Sequence, residues 1–228
     1  MIIATANIRN YPDMPRAKVV ADAKEVAARA DLWGQQENNP VEDDEAISKA
    51  LGDKWAKVGG GINLPIWFRR DKLECVSYRV AIADFDPVLP LTPRPRTISV
   101  GRFALKGRRG LEPLTLINNH RIAGGLNGPT EPPRARQWHI EEARAREVYA
   151  AERRKKSGAL KVKELDSGRM ELNSDHDALW VEVSLSAATG NRTVFYLGDF
   201  NNPEPPKPAK AFRWLVGERL DRIGVSTP

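Results

Sequence analysis

The sequence of 228 residues contains few of the residues that form thiol or multi-histidine centres. Its single cysteine, Cys75, excludes an intramolecular disulfide and a cysteine-based zinc site, and three histidines are few for a histidine-rich metal centre. No apolar run approaches the roughly 18 residues of a membrane-spanning helix. The N-terminus lacks the basic and apolar regions of a signal peptide. We therefore expect a cytoplasmic protein with no membrane partner.

Enough apolar material is nevertheless present for a hydrophobic core. Apolar residues make up 41% of the chain and charged residues 29%. The apolar fraction is well above that of disordered chains. The length and the lack of a repeat or linker predict a single domain over residues 1–228. The net charge of +6 suits a polyanionic partner but does not identify one.

Hydrophobic periodicity predicts many strands and few helices. Segments 2–8, 16–30 and 31–36 read as strand, helix and strand, a unit typical of a parallel pair. Further strands are predicted at 62–69, 73–83, 97–105, 114–119, 178–185 and 193–197, with a hairpin over 162–172 turning at Asp166. Helices are predicted within 41–55 and over 134–156 and 208–223. Pro65 places strand 62–69 at a sheet edge.

Polar residues gather where these predicted strands begin or end, which is where ligands bind in many α/β proteins. They are three carboxylates (Glu37, Asp175, Asp199), three amides (Asn7, Asn118, Asn201) and two histidines (His120, His176). Carboxylates are ligands that Mg²⁺ prefers, amides donate hydrogen bonds to phosphate oxygens, and histidines exchange protons near neutral pH. Hydrolysis of a phosphodiester needs this combination. Each residue alone is more often a turn, cap or structural residue, so the joint pattern carries the prediction.

These segments resemble motifs of the endonuclease/exonuclease/phosphatase superfamily, the group of pancreatic-type deoxyribonucleases and abasic-site endonucleases. The main matches are Thr5-Ala6-Asn7-Ile8-Arg9, Gln36-Glu37, Ile117-Asn118-Asn119-His120, Ser174-Asp175-His176-Asp177-Ala178-Leu179 and Leu197-Gly198-Asp199-Phe200-Asn201. The segments Pro93-Arg94-Pro95-Arg96 and Ile66-Trp67-Phe68-Arg69-Arg70-Asp71-Lys72 are similar as well.

The resemblance implies a four-layered α/β sandwich, in which two packed mixed sheets are flanked by helices. It also implies hydrolysis of phosphoester bonds with Mg²⁺ or Mn²⁺. Glu37 would be a metal ligand, with Asn7 and Asp175 near the metal.

The resemblance implies roles for the remaining site residues too. His176 would act as a general base or as an acid that contacts phosphate, and Asp199 would orient or deprotonate the attacking water. Asn201 and His120 would stabilise the pentacovalent phosphate. Apart from the resemblance, Arg94, Arg96, Arg108 and Arg109 border loops at strand ends and are expected to contact the substrate, as is Asn118.

Two departures from the family pattern concern chain order and one carboxylate. In the usual order the Gly-Asp-Phe-Asn motif precedes Ser-Asp-His, whereas here Ser174-Asp175-His176 comes first, which indicates a permuted or rewired strand connection. The family's carboxylate that orients the histidine has no clear equivalent. Asp221 is a loose match that we expect to face solvent on helix 208–223, and Asp166 is a weaker candidate.

The prediction is a magnesium-dependent nuclease with no obligate protein partner. The alternatives are a phosphatase acting on inositol phosphates or lipid head groups, and a non-catalytic nucleic-acid-binding module that retains the fold. Helix 134–156 is basic, but its glutamates predict an ordinary solvated face except for the cluster Arg153-Arg154-Lys155-Lys156. Trp138 on this helix is predicted to pack rather than to stack on a base.

Overall fold

The computed structural model describes residues 1–8, 14–37, 41–60, 64–83, 96–120, 132–174, 176–200, 212–218 and 221–226. Within these residues there are three helices, α1 (Arg16–Arg29), α2 (Val41–Leu51) and α3 (Pro132–Arg153). The strands are β1 (Ile2–Asn7), β2 (Leu32–Gln36), β3 (Trp55–Val58), β4 (Ile66–Arg69), β5 (Leu73–Ile82), β6 (Thr97–Leu105), β7 (Leu114–His120), β8 (Leu160–Met170), β9 (Ala178–Ala187), β10 (Val194–Asp199), β11 (Phe212–Glu218) and β12 (Asp221–Ser226).

The strands form two six-stranded sheets. The first sheet has the order β3-β4-β2-β1-β9-β8, and the second has the order β11-β12-β10-β7-β6-β5. The pairs β1–β2 and β7–β10 are parallel, and the other pairs are antiparallel, so both sheets are mixed. The predicted parallel unit of β1, α1 and β2 is confirmed.

Three buried apolar clusters divide the molecule into four layers. The central cluster joins the facing sides of the two sheets, with Ile3 on one side and Leu116 on the other. A second cluster packs α1 and α2 on the outer face of the first sheet, and a third packs α3 on the second sheet around Tyr149. The predicted α/β sandwich of two mixed sheets flanked by helices is confirmed. No helix in the described parts of the chain has the length and apolar character to cross a membrane.

The predicted hairpin over 162–172 is wrong. Strand β8 is continuous and pairs with β9 along its length, with a bulge between Glu164 and Asp166. The short polar and glycine residues at 166–168 that indicated a turn also suit a bulge, which bends a strand without ending it.

The predicted C-terminal helix is also wrong over the residues that the structure describes. Strands β11 and β12 pair with each other, and β12 pairs with β10, which places both in the second sheet. Phe212 is buried and Trp214 packs against the same cluster, two residues further along the strand. This spacing of two is the period of a strand, and pairing of β11 with β12 makes the strand the favoured conformation.

Strand β4 is not at the sheet edge that Pro65 indicated. It lies between β3 and β2, and β3 takes the edge position after α2 has ended at Leu51. Pro65 precedes the strand, so its missing N–H removes no hydrogen bond within the β4 ladder. Its carbonyl oxygen instead accepts a bond from the Gln35 N–H at 3.0 Å.

Candidate active site

Three neighbouring strands of the second sheet carry a row of polar residues at one end. His120 on β7 is paired with Asp199 on β10, which is paired with Asp221 on β12. Leu197 and Ile223, two positions away on their strands, belong to the core between the sheets. Because side chains alternate along a strand, the row faces the first sheet.

The first sheet meets this row through Asn7 and Glu37. The Asn7 amide nitrogen donates to Glu37 Oε1 at 3.1 Å and to Asp199 Oδ2 at 3.2 Å. His120 Nε2 lies 3.9 Å from Glu37 Oε1 and 3.6 Å from Asp199 Oδ2. The ends of β1, β2, β7 and β10 therefore converge on one polar pocket. We use the name catalytic row for its six side chains, Asn7, Glu37, His120, His176, Asp199 and Asp221.

Glu37 adopts a backbone conformation that is unusual for its side chain. Its φ of 55° is positive, and it is the one non-glycine residue with this property in the described chain. A left-handed conformation at a residue with a Cβ costs on the order of 1 kcal/mol and occurs often at functional sites. The side chain remains 29% exposed, so the carboxylate can be reached from solvent.

His176 completes the row through Asp221, which the sequence analysis named only as a loose match for the orienting carboxylate. Its Nδ1–H donates to Asp221 Oδ2 at 2.7 Å, and the same nitrogen lies 3.9 Å from Asp199 Oδ2. Asp221 is 4% exposed, so the expectation of a solvent-facing helix residue is wrong. Its position at the start of an alternating apolar segment, before Ile223 and Val225, is the signal that would have predicted a strand end.

The row concentrates negative charge in a buried place. Burial raises the pKa of Asp221 to about 6, and the charges of Asp199 and Glu37 act in the same direction, while the His176 hydrogen bond opposes them. Three carboxylates close together repel one another unless a cation or protonated histidines offset their charge.

A helix residue holds the segment that carries His176. Asp22 on α1 is buried and accepts hydrogen bonds from the Asn173 backbone at 2.8 Å, the Asn173 side chain at 2.6 Å and the Ser174 backbone at 3.0 Å. Ser174 Oγ donates to the Asn7 carbonyl at 2.7 Å. The sequence reading missed Asp22, because an acidic residue on an amphipathic helix usually faces solvent.

Below the catalytic row lies a neutral polar layer that joins the sheets. Gln36 Nε2 donates to Asn118 Oδ1 at 2.6 Å, and the Asn118 amide nitrogen donates to the carbonyls of Gln35 at 2.9 Å and Pro65 at 3.1 Å. A Cβ at Gly34 would lie 2.6 Å from Asn118 Cγ, so glycine permits this close approach. Asn118 is fully buried and its amide is used within the protein.

Arg96 also has partners within the protein. Its Nε lies 3.1 Å from Glu141 Oε1 on α3, and its Nη2 donates to the His120 carbonyl at 3.3 Å. The other predicted site residues, Asp175, Asn201 and Arg94, lie outside the described residues.

The end of β10 is supported from α3. Gly198 has a φ of +141°, and a Cβ there would collide with the Asn119 carbonyl, so this position requires glycine. Trp138 is buried and its indole N–H donates to the Phe200 carbonyl at 2.9 Å. The predicted packing role of Trp138 is confirmed.

The donors of the pocket fit a divalent cation. Asn7 Oδ1 is buried and has no hydrogen-bond partner in the described chain, while Glu37 offers a partly exposed carboxylate beside it. Ligand atoms of His176, Asp199 and Asp221 also lie within 4.8 Å of one another. Because His176 Nδ1 is already hydrogen-bonded to Asp221, that nitrogen is not open to an ion, and the oxygens of Glu37 and Asn7 are the donors that fit a hard cation.

Comparison with known proteins shows the fold. No family model matches the sequence, and no curated protein matches it closely. An endonuclease/exonuclease/phosphatase family protein from Bacteroides thetaiotaomicron matches with a TM-score of 0.63 and 16% identity over 99% of this chain and 81% of that one. A mannosyl-6-phosphatase of the same species gives 0.64 and 15% over 99% and 85%. D. rerio TDP2 complexed with a single-strand DNA product gives 0.57 and 12% over 100% and 84%.

Proposed function

We propose that the protein is a metal-dependent phosphoester hydrolase that cleaves nucleic-acid phosphodiesters. The observation that supports this most is the convergence of Asn7, Glu37, His120, Asp199 and the His176–Asp221 pair on one pocket between the sheets. Glu37 and Asn7 Oδ1 would hold Mg²⁺ or Mn²⁺, with Asp175 as a further predicted ligand. The bound cation would offset negative charge on the phosphoryl oxygens.

The buried carboxylate of Asp199 is placed to act on the attacking water. It is fixed by the Asn7 amide at 3.2 Å and lies between His120 and His176. We propose that it orients the water and accepts its proton as the new bond to phosphorus forms and the bond to the leaving oxygen breaks. The predicted role of Asn201 at the phosphate remains part of this proposal.

The two histidines would contact the phosphoryl group. With Nδ1 of His176 held by Asp221, Nε2 is the ring nitrogen that we assign to a phosphoryl oxygen or to proton transfer. His120, beside Glu37 and Asp199, would stabilise the same charge from the other side.

Two predicted substrate contacts receive different roles in this proposal. Asn118 joins the sheets below the pocket, and Arg96 links the His120 carbonyl to Glu141 of α3. We assign both to positioning. Arg94 remains a predicted substrate contact.

The surplus of positive charge and the DNA product bound by one neighbour of the same fold favour nucleic acid as the substrate. The neighbour that is a mannosyl-6-phosphatase supports a sugar-phosphate monoester as the second candidate. A binding module without catalysis would not need a strained Glu37 or a buried His176–Asp221 pair.

The test is hydrolysis of plasmid DNA, RNA, a chromogenic phosphodiester and a sugar phosphate, each with Mg²⁺, Mn²⁺ or chelator. We expect turnover of the diesters with metal and a loss of about 100-fold or more in Asp199→Asn and His176→Ala. The control is His139→Ala, which removes an exposed histidine of α3. Equal turnover in all three variants would assign the activity to another site or to a contaminant.

A further inference from the structure

Positive charge is concentrated at the end of the molecule opposite the catalytic row. Strands β7 and β10 reach the row at their last residues, and their first residues lie about 20 Å away for a seven-residue strand. The segments at this opposite end are 69–72, 106–112 and 152–156, together with Asp31 and Arg192. We call this set the basic end.

Backbone contacts make the basic end one continuous surface. The Lys106 N–H donates to the Lys72 carbonyl at 2.8 Å, which joins the turn before β5 to the turn after β6. The Arg192 N–H donates to the Lys155 carbonyl at 2.9 Å, which joins the end of α3 to the start of β10. A Cβ at Gly158 would lie 3.3 Å from the Pro113 carbonyl, so the residues that follow the second and third segments lie close together.

The charges of the basic end are strongly unequal. Its eleven basic residues are Arg69, Arg70, Lys72, Lys106, Arg108, Arg109, Arg153, Arg154, Lys155, Lys156 and Arg192, and its four acidic residues are Asp31, Asp71, Glu112 and Glu152. The difference of seven exceeds the net charge of +6 of the whole chain. The remainder of the protein therefore has a net charge of −1.

Two of the four acidic residues of this end point inward. Asp31 and Glu152 are buried, and Glu152 binds Arg79, Lys155 and Arg192. Burial opposes ionisation of Glu152, but those hydrogen bonds hold its pKa below its usual value. Its negative charge is therefore directed at its own partners in the protein rather than at solvent.

The basic side chains point outward instead. Eight of the eleven are exposed, against two exposed carboxylates, Asp71 and Glu112. The middle of α3 contrasts with this, because its exposed Arg144 pairs with the exposed Glu147, and an ordinary solvated face mixes both signs in that way. In the basic end Asp71 pairs with Arg69, but the exposed basic residues still outnumber the exposed carboxylates by eight to two.

We propose that the basic end is a second nucleic-acid contact surface, which binds the phosphate backbone at a place separate from the catalytic row. Its segments lie at one end of the adjacent strands β5, β6, β7 and β10, which together are about 15 Å wide. A nucleic-acid duplex carries one charge per about 1.7 Å of its axis, so several phosphates fit this width. The exposed large apolar side chains of the described chain are Val76 and Leu165, and neither lies in these segments. Phosphate contacts without apolar insertion fit a nucleic acid better than a membrane surface.

The basic end would hold a long nucleic acid on the protein while another part of it reaches the catalytic row. Contacts to the phosphate backbone do not depend on base sequence, so this binding would be independent of sequence. This proposal does not depend on hydrolysis, so it is tested by binding in the presence of chelator. The measurement is fluorescence anisotropy of a labelled DNA duplex over a series of salt concentrations. The test variant combines Arg108→Ala, Arg109→Ala, Arg154→Ala and Lys156→Ala.

A matched control removes four exposed basic residues elsewhere, with Lys18→Ala, Lys24→Ala, Lys49→Ala and Arg144→Ala. Both variants lose the same charge, so an effect of net charge alone weakens them equally. We expect the test variant to bind at least about tenfold more weakly, with a salt slope lower by about 3 to 4, and the control to stay within about twofold of the original protein.

Three results would overturn the proposal: unchanged binding in the test variant, equal weakening in both variants, or tighter binding to phosphatidylcholine vesicles containing phosphatidylserine than to the duplex. Hydrolysis of a small chromogenic diester, measured in parallel, is expected to be the same in the test variant and the original protein. If neither the original protein nor the variant hydrolyses the diester, the proposed activity is wrong. The binding measurement still decides whether the basic end binds nucleic acid.

Discussion

At the scale of single residues, the site depends on buried groups that are expensive to keep in place. Asp221 fixes the His176 ring at 2.7 Å, yet it shares its surroundings with the carboxylates of Asp199 and Glu37. Such an arrangement lowers stability in exchange for a defined ring orientation.

We predict that Asp221→Asn makes the metal-free protein more stable while it lowers activity. The folded pKa of about 6 lies above the ordinary value of 3.8, so the original protein loses stability as the pH rises between these values. The variant does not titrate, so its advantage grows from pH 4 to pH 6 and reaches about 1–3 kcal/mol above that.

Urea unfolding in chelator at pH 4, 5 and 7 measures this advantage. The matched control is Asp71→Asn, in which the exposed carboxyl beside Arg69 has a lowered pKa and gives no such gain. A variant that is less stable at pH 7 than the original protein would contradict the prediction.

Asp22 acts through the segment that precedes His176. We predict that Asp22→Ala lowers kcat by about 10- to 100-fold with little change in KM, because the N–H groups of Asn173 and Ser174 lose their buried acceptor and the ring shifts. Asp22→Asn keeps one acceptor oxygen and is expected to restore part of kcat. The control is Glu25→Ala on the exposed face of α1. Loss of thermal stability in proportion to kcat, without rescue by asparagine, would indicate a purely structural residue.

At the scale of elements, the two sheets are held together differently along their length. Apolar side chains fill most of the space between them, and the Gln36–Asn118 layer replaces these near the pocket. In this layer the backbone carbonyls of Gln35 in β2 and of Pro65 just before β4 accept hydrogen bonds from the Asn118 amide.

We predict that Asn118→Ala destabilises the protein by about 2–4 kcal/mol, because two carbonyls and the Gln36 amide lose their partner in a buried place. Denaturant unfolding measures the change, and KM for the chromogenic diester is measured beside it. Unchanged stability with a raised KM would instead support the direct substrate contact that the sequence predicts.

At the scale of the whole molecule, chain order and spatial order are separate. The connection between β8 and β9 contains the His176 segment, and β9 joins the first sheet beside β1 before the chain returns to the second sheet through β10. His176 and Asp199 therefore meet although their motifs occur in the reverse of the usual family order. Catalytic geometry depends on positions in space rather than on sequence order.

We predict that Mg²⁺ stabilises the whole fold through Glu37. At 100 times its dissociation constant a cation adds about 2.7 kcal/mol, which raises the melting temperature of a chain of this size by several degrees. Thermal unfolding with Mg²⁺ or chelator is expected to show this shift in the original protein and not in Glu37→Gln. The control is Glu45→Gln, an exposed glutamate of α2. A shift that persists in Glu37→Gln would place the cation elsewhere.

The sequence by itself determined the α/β class, most strand positions and the segments that meet at the pocket, because side-chain period and short motifs depend on neighbouring residues. Only the tertiary structure decided that residues 212–226 contribute two strands, and that Asp221 bonds to a histidine 45 positions earlier. It also decided that Asp22, Asn118 and Arg96 point inward. Strand pairing and burial join residues far apart in the chain, so local patterns do not encode them.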